Sequence, residues 1–180
     1  MVDGEVVASE QEDLGRRQSQ ELPLMAERVM HGLSWDSLDC VALTNGPGYF
    51  TGIRVGAAYA SGVAYASGAK IIPVSSLDVL SFGQNGKVLA AVYAGHGYVY
   101  AQCKGFLQAG EYPLEAVNEW LRNNPDALTV SDDPERAGLE AVKVRPSLEA
   151  LCQLAGRKID CAVSPMELKI SYYRAPQGMN

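Results

Sequence analysis

Apolar side chains recur at Leu22, Met25, Ala26, Val29 and Met30, the i, i+3, i+4, i+7, i+8 spacing of one helix face. The spacing predicts a helix over 19–31, capped by Ser19 and stopped by Gly32. Pro23 falls in its first turns, where a missing N–H matters least. The run Asp39-Cys40-Val41-Ala42-Leu43-Thr44 reads as a strand. A glycine-rich loop follows, then small residues over 51–67 that read as a second helix. Residues 70–74 form the next strand, and Ser75 or Ser76 caps a short helix through Phe82. A strand, a helical crossover and a strand imply parallel pairing.

The second half has another rhythm. Residues 87–93 and 98–104 read as strands around Gly95-His96-Gly97, a hairpin signal. Leu114, Val117 and Leu121 share one face of a helix over 114–122. Residues 127–131 suggest a short strand, and Ser147 caps a helix through Ala155. At the N-terminus, Asp3-Gly4 is a two-residue hairpin signal and 5–9 reads as the strand after it. Only Met1 and Val2 precede that turn, so the expectation is a start codon placed late or a loss of first strands.

The stretch Asn45-Gly46-Pro47-Gly48-Tyr49-Phe50-Thr51-Gly52-Ile53-Arg54-Val55-Gly56 is the most informative. A strand, a glycine loop and a helix aim backbone N–H groups at a ligand. The loop is no phosphate-binding Walker motif, because Gly52 is followed by Ile53-Arg54 rather than Lys-Ser/Thr. Nor is it a dinucleotide fingerprint, because Thr51 stands where a third glycine belongs. A structural turn is therefore favoured over direct phosphate binding. Arg54 is read as a brace for a carboxylate or for loop carbonyls, ahead of an anion grip. Gly52, Gly56 and Gly62 within one helix each cost about 1 kcal/mol against alanine. Such a helix is expected to meet another backbone closely, inside the chain or on a partner.

Composition narrows the classes. Hydrophobic residues make up 47% of the chain, which excludes general disorder. A net charge of −6 makes it a poor solitary nucleic-acid binder, since phosphate contacts need clustered cations. Cys40, Cys103, Cys152 and Cys161 form no C-x-x-C pair, and free buried thiols in a reducing cytoplasm are expected. The start is polar, so no signal peptide is expected, and the 55–69 stretch is too short to span a membrane. His31 and His96 form no metal-ligand motif. His31 suits a helix C-terminus. There is no G-x-S-x-G elbow. Tyr98 and Tyr100 alternate around Val99 and are read as sheet packing.

The stretch Gly46 to Gly56 resembles the G-P-G-S-F-T-G-[LIV]-R-[IV]-G signature of the bacterial TsaB (YeaZ) family, departing at Tyr49, where Ser is usual. Ile72-Pro73-Val74-Ser75-Ser76-Leu77 is similar to the family's V-S-[ST]-L turn, and Tyr172-Tyr173-Arg174 to its closing Y-L-R. Leu89 to Tyr93 with Val99-Tyr100-Ala101 is similar to its D-A-R-x-x-E-V-Y-A segment, although Tyr93-Ala94-Gly95 replaces D-A-R. The first strand ending I-D-T-S is absent. Gln18 or Ser19 stands at a usual histidine, and Ile170 at a usual proline.

The resemblance implies an α/β chain of the actin/Hsp70-like (ribonuclease-H-like) class, with mixed sheets, flanking helices and the first strands missing. Its expected lobes are 1–86, with the signature and dimerisation helices, and 87–180. It implies a cytoplasmic, non-catalytic partner of TsaD in making N6-threonylcarbamoyladenosine on tRNA. The ATPase TsaE joins that pair, nucleotide (ATP or ADP) and metal sit on the partner, and tRNA is met only through the complex. Alone, the chain is expected to homodimerise. No catalytic or metal residue and no cofactor is assigned to it. The signature residues Gly46, Pro47, Gly48, Phe50, Thr51, Gly52, Arg54 and Gly56 are structural or partner-facing. Leu22, Met25, Val29, Tyr59 and Val63 are the candidate interface, with the helices of 19–31 and 51–67 meeting the same pair on a partner as a four-helix bundle. Two alternatives stay open: an autonomous metallopeptidase or nucleotide-dependent enzyme of the same superfamily, and a homodimeric scaffold without a tRNA role.

Overall fold

The computed structural model describes residues 1–15 and 17–173. Arg174, the last residue of the Tyr-Tyr-Arg motif, lies outside the described residues. In chain order the elements are α1 (Gln18–Val29), β1 (Cys40–Thr44), α2 (Phe50–Ser67), β2 (Lys70–Val74), α3 (Ser76–Ser81), β3 (Val88–Gly95), β4 (Tyr98–Cys103), β5 (Leu107–Pro113), α4 (Leu114–Arg122), β6 (Leu128–Ser131), α5 (Pro134–Ala137), β7 (Val142–Lys143) and α6 (Leu148–Gly156), with short 3-10 turns at Trp35–Ser37, Ile159–Cys161 and Pro165–Glu167. They form two compact units. The first holds Met1–Asn45, Phe50–Val74 and Leu148–Ile170; the second holds Gly46–Tyr49, Ser75–Ser147 and Ser171–Asn180. The expected boundary at 86 does not coincide with this division. The α3 segment belongs to the second unit, and α6 returns to the first.

In the first unit β1 and β2 pair in parallel, Cys40 opposite Lys70 through Thr44 opposite Val74, as the crossover predicted. Val163 bridges the other side of β2 at Ile71, with both N–H···O distances 2.8 Å. Consecutive residues Ile71 and Ile72 are both buried, so β2 is covered on both faces. Ala57, Ala60 and Ala64 of α2 pack on Leu43, Ala69 and Ile71. Their short side chains bring the helix axis close to the sheet.

The second unit is a five-stranded mixed sheet of order β5-β4-β3-β6-β7, with β3–β6 and β6–β7 parallel and the rest antiparallel. The period-2 rule divides β3 between two cores. Leu89 and Ala91 join Val99, Ala101 and Val117 on one face. Val88, Ala90 and Val92 join Leu77, Leu80 and Val130 on the other. Gly95 pairs with Tyr98 across His96 and Gly97, whose φ values of 50° and 78° are those of a tight hairpin turn.

Several expectations are corrected. Ser19 lies inside α1 rather than capping it; Arg17 stands at the cap position without a side-chain cap bond. Pro23 is therefore interior, beyond the turn whose N–H groups are free anyway. The Asp3-Gly4 turn forms, closed by Val2 and Glu5 at 2.9 Å in both directions, but 5–9 is not a strand. One bridging pair is too little to sustain a hairpin. Of the four free thiols only Cys103 is buried, and Cys161 is exposed.

Candidate functional site

The signature divides between the units: Gly46–Tyr49 falls in the second and Phe50 onward in the first. In the loop, Gly46 adopts φ 101°, a region that L side chains rarely occupy. Its carbonyl accepts the Ser76 N–H at 2.9 Å, and Pro47 is fully buried. The Ser75 hydroxyl accepts from Leu77 N–H at 3.3 Å as the α3 cap. The Gly46–Ser76 bond ties the loop to the first turn of α3. In the first unit the Asn45 side-chain amide donates to the Lys169 carbonyl at 3.1 Å.

Phe50, Thr51 and Gly52 open α2. Among the described residues Arg54 braces neither a carboxylate nor a loop carbonyl; its guanidinium lies 5.0 Å from the centroid of the Phe50 ring, one turn back. The close approach expected around the helix glycines is not made within the described residues. A Cβ at Gly56 or Gly62 meets nothing within 4 Å, and one at Gly52 meets the Gln18 amide oxygen at 3.4 Å, an ordinary contact.

What the first unit does bring together is the face formed by α1 and α2, which pack side by side. Leu22, Met25, Ala26, Val29 and Met30 are all half-buried, while Pro23, Leu24, Glu27 and Arg28 are exposed. The predicted stripe is thus real, yet no residue of α1 is fully buried. On α2 the core takes Ala57, Ala60 and Ala64, and Gly52, Gly56, Tyr59 and Val63 stay half-buried beside them. Burial, with Glu27 of α1 nearby, raises the Tyr59 phenol above its ordinary pKa. An amphipathic helix left without complete cover among the described residues retains apolar area for a further surface.

Two features were not read from sequence. In the second unit the Arg136 guanidinium lies over both the Tyr49 and Tyr93 rings, 4.9 Å and 4.8 Å from their centroids. Its Nη1 donates to the Tyr49 hydroxyl at 2.9 Å. No local spacing signals a contact over 87 positions. Nearby in sequence, Asp132 keeps one carboxylate oxygen buried without a hydrogen-bond partner among the described residues, and burial raises its pKa. A groove of about 820 Å³ lined by Leu121, Arg122, Leu128, Thr129 and Glu140, among others, contains none of the predicted site residues. Among the described residues, no group of three or more His, Cys, Asp or Glu is arranged to hold a metal, and no helix is long and apolar enough to cross a membrane.

The chain matches the family model described as TsaD, tRNA N6-adenosine threonylcarbamoyltransferase, over residues 4–163. An uncharacterized protein of Mycobacterium leprae is 34% identical over 150 residues, covering 81% of this chain and 41% of its own length. A Haemophilus influenzae protein named tRNA threonylcarbamoyladenosine biosynthesis protein TsaB is 36% identical over 85 residues, 44% of this chain and 36% of its own. The chain therefore matches less than half the length of either relative. The solved structure of YeaZ from Pseudomonas aeruginosa superposes with a TM-score of 0.69 at 26% identity, covering 86% of this chain and 84% of that one.

Proposed function

The chain belongs to the tRNA N6-adenosine threonylcarbamoyltransferase family, as a TsaB (YeaZ) member with the actin-like fold of that group, and from that premise we propose that it is the non-catalytic partner of a TsaD homologue in forming N6-threonylcarbamoyladenosine on tRNA. The observation that carries the reading is the incompletely covered α1–α2 face. Leu22, Met25 and Val29 supply the apolar area, and Gly52 and Gly56, unneeded for packing inside the chain, allow a partner helix to approach the α2 backbone closely. The pair then forms a four-helix bundle with the matching helices of the partner. In the absence of that partner a second copy of the chain takes its place.

The division of labour follows from chemistry. The sequence has two histidines and no nucleophile elbow or metal-ligand motif, so metal and nucleotide are held by the TsaD homologue, with the ATPase TsaE joining the pair in the cytoplasm. At −6 the chain lacks the cation cluster that tRNA phosphates need, so tRNA is met through the complex. The subunit acts by binding the partner's competent conformation more tightly than its alternatives, and it shifts that equilibrium only by this difference. Co-purification with the TsaD homologue tests the assembly. A 1:1 complex that withstands gel filtration is expected, and two separate elution peaks at micromolar concentration refute it.

A further inference from the structure

The stacked Arg136 is a built arrangement, drawn from three separated parts of one unit: the signature loop, the carboxyl-terminal part of β3 and the short helix α5. Both ring centroids lie within the roughly 6 Å reach of a cation–π contact. Arg136 makes no ion pair among the described residues, although Asp132, Asp133 and Glu135 are neighbours in sequence. Asp133 instead uses its carboxylate as the α5 cap, accepting from Arg136 N–H at 3.4 Å. Tyr49 is 46% exposed, so burial alone does not fix its ring. The two tyrosines are also the positions at which the chain departs from the signature and from the D-A-R segment, and both departures meet the same guanidinium.

We propose that Arg136 is the positioning residue of the signature loop: in cation–π contact with both Tyr49 and Tyr93 and bonded to the Tyr49 hydroxyl, it fixes the loop where it hands over to α2, and so supports partner binding. A planar guanidinium meets two rings and donates to a hydroxyl at once, whereas a lysine ammonium is a compact point charge without that fork. The claim of loop order stands on the geometry alone. The claim about binding rests on the function proposed above.

The test uses the full chain with Arg136→Ala, Arg136→Lys and Tyr49→Ser. Arg136 side-chain protons are expected upfield in the NMR spectrum of the wild type, displaced by two ring currents, with the displacement reduced in Tyr49→Ser. Chymotryptic cleavage after Phe50 is expected to accelerate roughly five- to thirtyfold in Arg136→Ala, the loss of two such contacts, with thermal unfolding still cooperative and lowered only by the few degrees that the same loss implies. Arg136→Lys is expected to restore less than half of the protection. Full restoration by lysine, cleavage of Arg136→Ala at the wild-type rate, or unshifted Arg136 protons each overturn the clasp. If Arg136→Ala proves unstable, Tyr49→Ser gives the same cleavage readout. Affinity for the partner is expected to fall by a similar factor in Arg136→Ala, and an unchanged affinity overturns the link to binding. If the wild type itself does not bind, the function proposed above fails, while the cleavage and NMR results still decide the clasp.

Discussion

Gly56→Leu separates a folding role for the α2 glycine from a partner-binding role, because the two predict effects of opposite sign. Inside the chain an added Cβ meets no atom within 4 Å. Replacing a helix-interior glycine by leucine recovers about 0.8 kcal/mol of propensity, so at concentrations dilute enough to keep both proteins monomeric the variant is expected to melt at or above the wild-type temperature. On a partner helix packed against this face the new side chain overfills the contact. Overpacking costs about 1–3 kcal/mol, equivalent to a roughly 5- to 150-fold weaker Kd. Gly62→Leu is the control: its Cβ is equally free, but the residue is exposed and about 240° further round the helix. It is expected to gain the same stability with no loss of binding. The assay is titration of a fluorescent TsaD homologue, with thermal melts of each variant and sedimentation of the chain alone. A misfolded variant lowers both stability and affinity, whereas the proposed role raises one and lowers the other. Binding by Gly56→Leu at wild-type strength refutes the interface assignment.

Three further outcomes follow from the geometry. Gly138 closes α5 at φ 69°, and its Cβ would stand 2.9 Å from Leu114 Cδ2. The leucine methyl can move but the backbone cannot, so Gly138→Ala is expected to lose about 1–2 kcal/mol in urea unfolding; an unchanged midpoint contradicts the left-handed cap. Burial raises the folded pKa of Asp132 above its ordinary 3.8. The native state then binds more protons than the unfolded chain across that interval, so stability falls as pH rises through it. Asp132→Asn is expected to remove this decline and to be the more stable form at neutral pH, and parallel pH profiles would show that the carboxylate is compensated. Finally, the chain alone is expected to give no gel shift with tRNA at micromolar concentration and physiological salt; a clear shift would require a cationic surface that its charge does not provide.

Sequence patterning was most legible where one rule acted alone. Strand β2 and helix α4 have the expected bounds, because a buried apolar run and a single-face helix leave little ambiguity. Ser75 caps α3 as its hydroxyl suggests. Strand β5, by contrast, carries Gly110 and ends at Pro113, a composition with weak strand preference, and it exists because β4 offers a pairing edge. The short α5 had a readable signal that was missed: Asp133 as cap, Pro134 in the first turn and Gly138 in the left-handed stop position. At the candidate site the stripe on α1 was legible from its 3.6-residue period. The helix glycines were legible as residues, but not in what they approach, because no close neighbour exists among the described residues. The Tyr49–Arg136–Tyr93 stack joins distant positions, and neither period nor motif encodes such a contact.

The central claim is tested most directly by reconstituting tRNA threonylcarbamoylation with the TsaD homologue, TsaE and threonylcarbamoyl-adenylate, with this chain present, absent or carrying Gly56→Leu. Modified adenosine is expected to accumulate only when the wild-type chain is present, to saturate near one chain per TsaD homologue, and to fall with Gly56→Leu in proportion to the weakened binding. Full-rate modification without the chain, or modification by the chain without the TsaD homologue, would contradict the account.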